Sequence, residues 1–349
     1  MMCIVYDEEK YQYQLSIRQG GIITHVYISA SFCLRDSDLV ELKNTIDLQG
    51  INVLYDPDRS DIYNQEHSQI VLIADRREPS LTQIEPQTFL LKGNLGQKTF
   101  VKNLHHIMYT ISEGSRQILK SECTIHAAAV SLPRSDRAIL ILGDKGSGKT
   151  ITTYALCSYH DAELIGNDLV IIGSDQQEKQ YLHGGTTNFT FRKYVMGKFF
   201  PDLLLEKNNA SASISTGIDY ESKIMLNPNQ LNIPVCVDKK YIALVIRVNV
   251  HALAAANSVS KIFDKPTEAL RLHENFARYI RGQTTPLVLE KDGTISGHFP
   301  SFDSIEMQAM RNKMVNSLLR SNFFYITAQS PQKATDLIMK TYNENLGMS

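Results

Sequence analysis

Gly143-Asp144-Lys145-Gly146-Ser147-Gly148-Lys149-Thr150 carries the residue types of a phosphate cradle in the required order, Gly-x-x-x-x-Gly-Lys-Thr. Glycines let a backbone close tightly around a phosphate and turn several N–H groups inward. A helix beginning directly after them adds partial positive charge at its N-terminus. Lys149 then reaches the terminal phosphates and the Thr150 hydroxyl ligates Mg²⁺. Lys145 either contacts a phosphate or faces solvent, and Asp144 reads as a loop-shaping residue rather than a catalyst.

Such a loop needs a strand before it and a helix after it. Residues 138–142, Ala-Ile-Leu-Ile-Leu, form a short apolar run that predicts a buried strand, and 151–157 read as a helix. The nucleotide-binding segment is therefore expected to run from Gly143 through Ser147, Gly148 and Lys149 to Ile151. The competing reading, a chance glycine-rich strand–helix turn, is the weaker one because both flanks fit.

A phosphoryl donor also needs a group to activate its acceptor. Asp168 lies in an otherwise apolar stretch, Leu164-Ile-Gly-Asn-Asp-Leu-Val-Ile-Ile172, read as a continuous strand. A carboxylate in a buried strand is costly unless it is paired or holds metal. Asp168 is thus a general-base and metal-ligand candidate, or a structural aspartate at a strand end. His126, in the apolar run 125–130 read as a strand, is either a satisfied core histidine or a partner near the phosphates. Arg192 and its neighbour Lys193 are candidates for substrate or γ-phosphate, with a solvated basic pair as the alternative. Lys223, before Ile-Met-Leu, is a candidate phosphate clamp. Arg271, Arg278 and Arg281 recur on one expected helix, as a basic face toward an acidic substrate or a solvated stripe.

Three segments recur in order: Ile125-His-Ala-Ala-Ala-Val130, the 143–150 loop, and Glu163-Leu-Ile-Gly-Asn-Asp-Leu-Val170. Together they resemble the catalytic core of the HPr kinase/phosphorylase family, whose fold is related to the phosphoenolpyruvate carboxykinases. The resemblance covers about residues 122–173 and implies an α/β, P-loop-containing fold for the C-terminal domain. It implies that Gly143, Gly146, Gly148, Lys149 and Thr150 bind nucleotide phosphates and Mg²⁺, that Asp168 is the general base and that His126 lies near the phosphates. Asn167 stands where the family has its first aspartate. The stretch 188–193 holds Arg192 but not the family's metal-holding Glu. That departure argues against the phosphorylase reaction and the second metal, and against HPr itself as substrate. The family's hexamers imply self-association into a homo-oligomer.

The whole chain bounds these readings. Its 349 residues suggest two domains or one domain with a large extension. A strand-rich, smaller α+β N-terminal domain is expected over 1–105, for substrate recognition or assembly, and a catalytic domain over 106–349. Hydrophobic residues at 43% are enough for a core. A net charge of -1 from 36 basic and 37 acidic residues gives no footprint for nucleic acid or an anionic membrane. The five scattered cysteines, with no C-x-x-C pair, read as reduced thiols rather than a disulfide or zinc framework. No signal peptide or membrane span is read, so a cytoplasmic location is expected.

Coarse patterning predicts a hairpin from 11–17 and 22–28, strands at 51–55, 69–74 and 88–92, and a helix over 101–119 with apolar Leu104, Ile107, Met108, Ile111 and Ile118. Further on it predicts a strand at 241–250, a helix at 305–319, a strand at 323–327 and a final helix at 331–343. The polar stretch 206–216 reads as a substrate lid or a surface insertion.

The expected activity is transfer of the γ-phosphoryl group of ATP, with GTP not excluded, to a hydroxyl of a peptide, a protein or a small molecule. Two other classes stay open: a nucleotide-responsive sensor with little phosphotransfer, and a P-loop NTPase switch. For the switch, Asp168 serves only if its strand adjoins the loop's strand.

Overall fold

Two large β-sheets organise the chain, one of six strands and one of nine. The computed structural model describes residues 11–19, 22–29, 53–55, 68–74, 78–85, 87–93, 97–208, 222–281, 288–289, 295–297 and 300–346. The chain is mixed α/β, and its contacts separate residues 1–124 with 271–313 from 125–270 with 314–349. That division differs from the expected one at 105/106. The 209–216 part of the expected lid lies outside the described residues.

The first sheet contains β1 (Tyr11–Gln19), β2 (Ile22–Ser29), β3 (Val53–Tyr55), β4 (Ser68–Ala74), β5 (Ser80–Glu85) and β6 (Thr88–Gly93), in the order β3-β1-β2-β4-β6-β5. β1 and β2 pair antiparallel, as the alternating pattern predicts, while β2, β4 and β6 run parallel. Helix α1 (Gln97–Lys120) packs on this sheet, which is why it sides with the first unit. Leu104, Ile107, Met108 and Ile111 are buried, at the i, i+3, i+4, i+7 spacing of one helix face. Ile118, expected on the same face, is exposed instead. In the helix's last turns the buried positions are polar: Ser112, Glu113, Ser115, Arg116 and Gln117.

The second sheet begins, in chain order, with β7 (Cys123–Ile125), in which the chain passes from one unit to the other. Its strands β8 (Ala128–Ser131) and β9 (Arg137–Leu142) lead to α2 (Lys149–His160). Then come β10 (Glu163–Gly166), β11 (Val170–Ser174), β12 (Gln180–Gly185) and β13 (Phe189–Arg192). Two short helices, α3 (Lys193–Phe199) and α4 (Pro201–Asn208), precede β14 (Lys223–Leu226), β15 (Lys240–Val250), β16 (Ser258–Lys261) and α5 (Lys265–Ala277). β17 (Val288–Leu289), β18 (Ile295–Gly297), α6 (Ile305–Arg320), β19 (Phe323–Ala328) and α7 (Pro331–Leu346) complete the described elements.

β9 has β8 antiparallel on one side and β15 parallel on the other, and β19 continues parallel beside β15. Ile139, Ile141, Leu244, Ile246, Val248, Phe324 and Ile326 meet Ala155 and Leu156 of α2 and Ala334, Ile338 and Tyr342 of α7 in one core. Leu140, Leu142 and Val245, facing the other way, are buried too. A strand covered on both faces reads as an unbroken apolar run, which is why β9 and β15 stand out in the sequence. Among the described residues no helix is long and apolar enough to cross a membrane.

Candidate functional site

The core of β9 fixes where the 143–150 loop begins. Gly143, Gly146 and Gly148 all have positive φ, at 155°, 85° and 94°. At two of them only glycine fits. A Cβ on Gly143 would run into the Ser147 hydroxyl and lie 3.0 Å from the Val248 carbonyl oxygen, and one on Gly148 would lie 2.8 Å from Val250 Cβ. A Cβ on Gly146 would meet nothing within 4 Å. The loop is tied down by Ser147 N–H donating to Asp144 O at 3.1 Å and Val250 N–H donating to Ser147 O at 2.8 Å.

α2 starts at Lys149 with Gly148 as its N-cap, and no side chain caps it. With no side chain over it, the start of the helix is open to an anion, which the partial positive charge of a helix N-terminus favours. Lys149 is buried, and its Nζ donates to Gly143 O at 2.7 Å and Asp144 O at 3.3 Å, so it folds over the loop. Thr150 is half-buried at the second helical position. Lys145 is exposed. The Ile151 side chain is buried in the core, leaving only its backbone to face a ligand. Ser147 Oγ is buried without a hydrogen-bond partner.

His126 and Asp168 come together, 42 residues apart in sequence, with Nε2 and Oδ1 at 2.7 Å. Both lie at strand ends, not within strands as expected. His126 occupies the bend between β7 and β8, and Asp168 the bend between β10 and β11. The Asp168 side chain is 64% exposed and that of His126 23%. The argument that burial makes Asp168 costly therefore does not apply: water reaches it, and the apolar run 164–172 is broken rather than continuous. The break is made from a distance. Thr186 O accepts from Asn167 N at 2.7 Å, Thr186 N donates to Leu169 O at 3.1 Å, and Thr186 Oγ1 accepts from Leu169 N at 3.0 Å and donates to Asn167 O. Asp168 takes φ 84° in consequence, a conformation that side-chain-bearing residues rarely adopt.

Strand register sets this pair beside the loop. Ala128, two residues after His126, pairs with Ile141, two residues before Gly143. Gly166, two residues before Asp168, pairs with Ala129. His126 and Asp168 therefore stand at the end of the sheet where β9 enters its loop, with β8 between β9 and β10. The strand parallel to β9 is β15, which carries no acidic residue in its last turns of sequence, Arg247-Val-Asn-Val250. The condition set for Asp168 in a switch, a strand next to the loop's strand, is not met.

Asn167 is buried and donates from Nδ2 to Asn188 O at 2.9 Å, a structural bond that ties the Asp168 bend to the start of β13. Phe189 and Phe191 of that strand pack around Tyr154 of α2. Arg192 and Lys223 are brought together as register partners of β13 and β14, both exposed. The expected basic face of Arg271, Arg278 and Arg281 does not form on one helix: α5 ends at Ala277, and Arg281 pairs with Glu274 at 3.1 Å and Asp303 at 3.5 Å.

Two contributors were not singled out from the sequence as site residues. Thr186 makes the Asp168 bend, with no local signal. Arg247, inside the strand expected at 241–250, donates from Nε and Nη2 to Glu268 Oε2 at 2.7 and 2.6 Å and sets Nη1 3.7 Å from Asp144 Oδ1. Among the described residues no group of three or more His, Cys, Asp or Glu could hold a metal ion. Magnesium commonly keeps several waters and takes only one or two protein oxygens besides phosphate, so the Thr150 hydroxyl and Asp168 carboxylate suit it better than a metal needing a full protein cage. No protein-family model matches the sequence, and no curated protein matches it either.

Proposed function

We propose that the chain is a Mg²⁺-dependent kinase that binds ATP at the 143–150 loop and transfers its γ-phosphoryl group to a hydroxyl. The observation that carries the reading is the His126–Asp168 pair, 2.7 Å apart, at the end of the sheet where β9 enters that loop. The positive-φ glycines, the uncapped helix start and the infolded Lys149 support phosphate binding on their own. The likeness of residues 122–173 to the HPr kinase/phosphorylase core adds to both, and suggests a divergent member with that P-loop fold.

In this reading the loop N–H groups and Lys149 hold the phosphate oxygens. Thr150 and Asp168 are the residues that would hold Mg²⁺, which supplies charge neutralisation at the transferred group. Asp168 accepts the proton of the acceptor hydroxyl as its oxygen bonds to the γ-phosphorus. The bond from that phosphorus to the bridging oxygen breaks, and ADP leaves with the electron pair. His126 orients the carboxylate through Nε2 and stabilises its charge. The exposure of Asp168 lets an acceptor hydroxyl reach it, on a peptide, protein or small molecule.

A second reading, a nucleotide sensor with little phosphotransfer, is favoured by one observation. Asn167 stands where the resembling family has the first aspartate of its pair, and its amide is committed to Asn188 O. One experiment separates the two. γ-labelled ATP with Mg²⁺ is incubated with an extract of the source cells and wild type, Lys149→Ala or Asp168→Asn. A labelled acceptor that disappears with both variants establishes the kinase. ATP binding without any label transfer leaves the sensor.

A further inference from the structure

Arg247 sits in an unusual place for a strand arginine. It belongs to β15, is paired in register with Leu142, the last residue before the loop, and its side chain is only 12% exposed. One edge of its guanidinium, Nε and Nη2, is taken by Glu268 of α5, whose side chain is 0% exposed. The remaining nitrogen, Nη1, is directed to the loop, where Asp144 Oδ1 lies at 3.7 Å. The two carboxylates are not equivalent partners. Glu268 is buried at hydrogen-bonding distance. Asp144 is 76% exposed and beyond hydrogen-bonding distance, a pair of the kind that contributes little in water.

We infer that Arg247 is a positioning residue for the anion bound by this loop, with Glu268 as its permanent anchor and Asp144 as an exchangeable partner that a phosphate group displaces. This rests on the reading that the loop binds a nucleotide phosphate. A phosphate presents more charge and more acceptor oxygens than one exposed carboxylate, and a guanidinium edge matches it geometrically. Glu268 holds one edge of the fork, so the charge is set before the phosphate arrives. The arginine is supplied by the strand beside the loop, in the same chain.

The alternative role for the same contacts is a brace, in which Arg247 holds the loop in shape through Asp144. The two roles predict opposite signs. Binding of Mg·ATP and of inorganic triphosphate to the full chain is measured by titration calorimetry. Arg247→Gln alone would strand Glu268 in the interior, so the informative variant is Arg247→Gln/Glu268→Gln, with its melting curve recorded as the check on folding. Displacement predicts weaker binding of both probes by on the order of tenfold in that double variant. It predicts tighter binding, about two- to fivefold, in Asp144→Asn. It further predicts that Asp144→Asn gives no such gain in the Arg247→Gln/Glu268→Gln background. Weaker binding in Asp144→Asn shows a brace and overturns the inference. An equal gain in both backgrounds shows plain charge repulsion between Asp144 and phosphate and also overturns it. Wild type that binds neither probe removes the loop reading itself, and this inference with it.

Discussion

His126 Nε2 lies 2.7 Å from Asp168 Oδ1 because β8 begins where β10 ends. The two strands are antiparallel neighbours, so the residue that precedes one and the residue that follows the other meet at a single edge of the sheet. Neither side chain belongs to a strand, and each is held by what its neighbours do. Ala128 fixes the height of His126 by pairing with Ile141, and Thr186 fixes the bend that carries Asp168.

If Asp168 is the general base, Asp168→Asn keeps the shape of the bend and removes the proton acceptor. Transfer from ATP should fall by roughly 10²- to 10⁴-fold, the usual contribution of general acid–base catalysis, while the dissociation constant for ATP stays unchanged. His126→Gln removes an orienting partner only, and its loss should be smaller than that of Asp168→Asn. Stopped-time transfer assays and nucleotide titration read the two quantities separately. Full transfer activity in Asp168→Asn would end the assignment.

The loop glycines differ in what they tolerate. Gly148→Ala places a methyl group against Val250 Cβ at 2.8 Å in a positive-φ conformation, and both effects destabilise. Gly146→Ala meets no neighbour and carries only the conformational cost, about 1–2 kcal/mol. Thermal melts should show Gly146→Ala lowered by only several degrees and Gly148→Ala lowered further. Equal shifts in the two would mean that Val250 moves aside at no cost.

Much of the fold was legible where both strand faces or one helix face are apolar. The runs at 138–142 and 241–250 became β9 and β15, and the hairpin, the long helix and the last helix–strand–helix series appear within a few residues of their expected places. The glycine-rich loop was legible because its residue types and its flanks agree. The site beside it was less so. The run 164–172 looks like one strand because its break is imposed by Thr186, 18 residues beyond Asp168, and local pattern does not register such a bond. Arg247 escaped for the same reason: its meaning depends on Glu268, 21 residues later on α5. The polar face at the end of α1 was read as a helix stripe because Ile118 kept the apolar period that the structure leaves exposed.

That polar face makes its own prediction. Glu113 accepts from Thr124 N at 2.8 Å, from Thr124 Oγ1 at 2.6 Å, from Gln117 Nε2 at 2.9 Å and from Arg116 Nη1, all in the interior. Gln117 Oε1 in turn accepts from Arg311 Nη1 at 2.8 Å. Glu113→Ala removes one member and leaves Arg116 charged and buried, at a cost of about 3–5 kcal/mol. Replacing both, Glu113→Leu with Arg116→Met, should cost less than the single change, because no uncompensated charge remains. Urea unfolding of the two variants checks the order, and a double variant less stable than Glu113→Ala would show that the network contributes net stability.

Burial of Cys157 against the core pushes its thiol up from 9.0 to about 12. The folded chain then holds this proton over a range in which the unfolded chain has released it. The contribution to stability is fully present below pH 9 and is lost as pH rises toward 12. The difference in unfolding free energy between wild type and Cys157→Ala should accordingly shrink with rising pH across that window and stay constant below it. At pH 8 the folded chain should leave Cys157 unlabelled by iodoacetamide, since the thiolate is the reactive form, and denatured chain should label fully. Mass spectrometry of the peptide spanning Cys157 reads the result. Labelling of the folded chain at the rate of the denatured one would show that α2 opens to water on that timescale, and the helix that carries Lys149 and Thr150 would then lack the rigid seat that phosphate binding at its first turn requires.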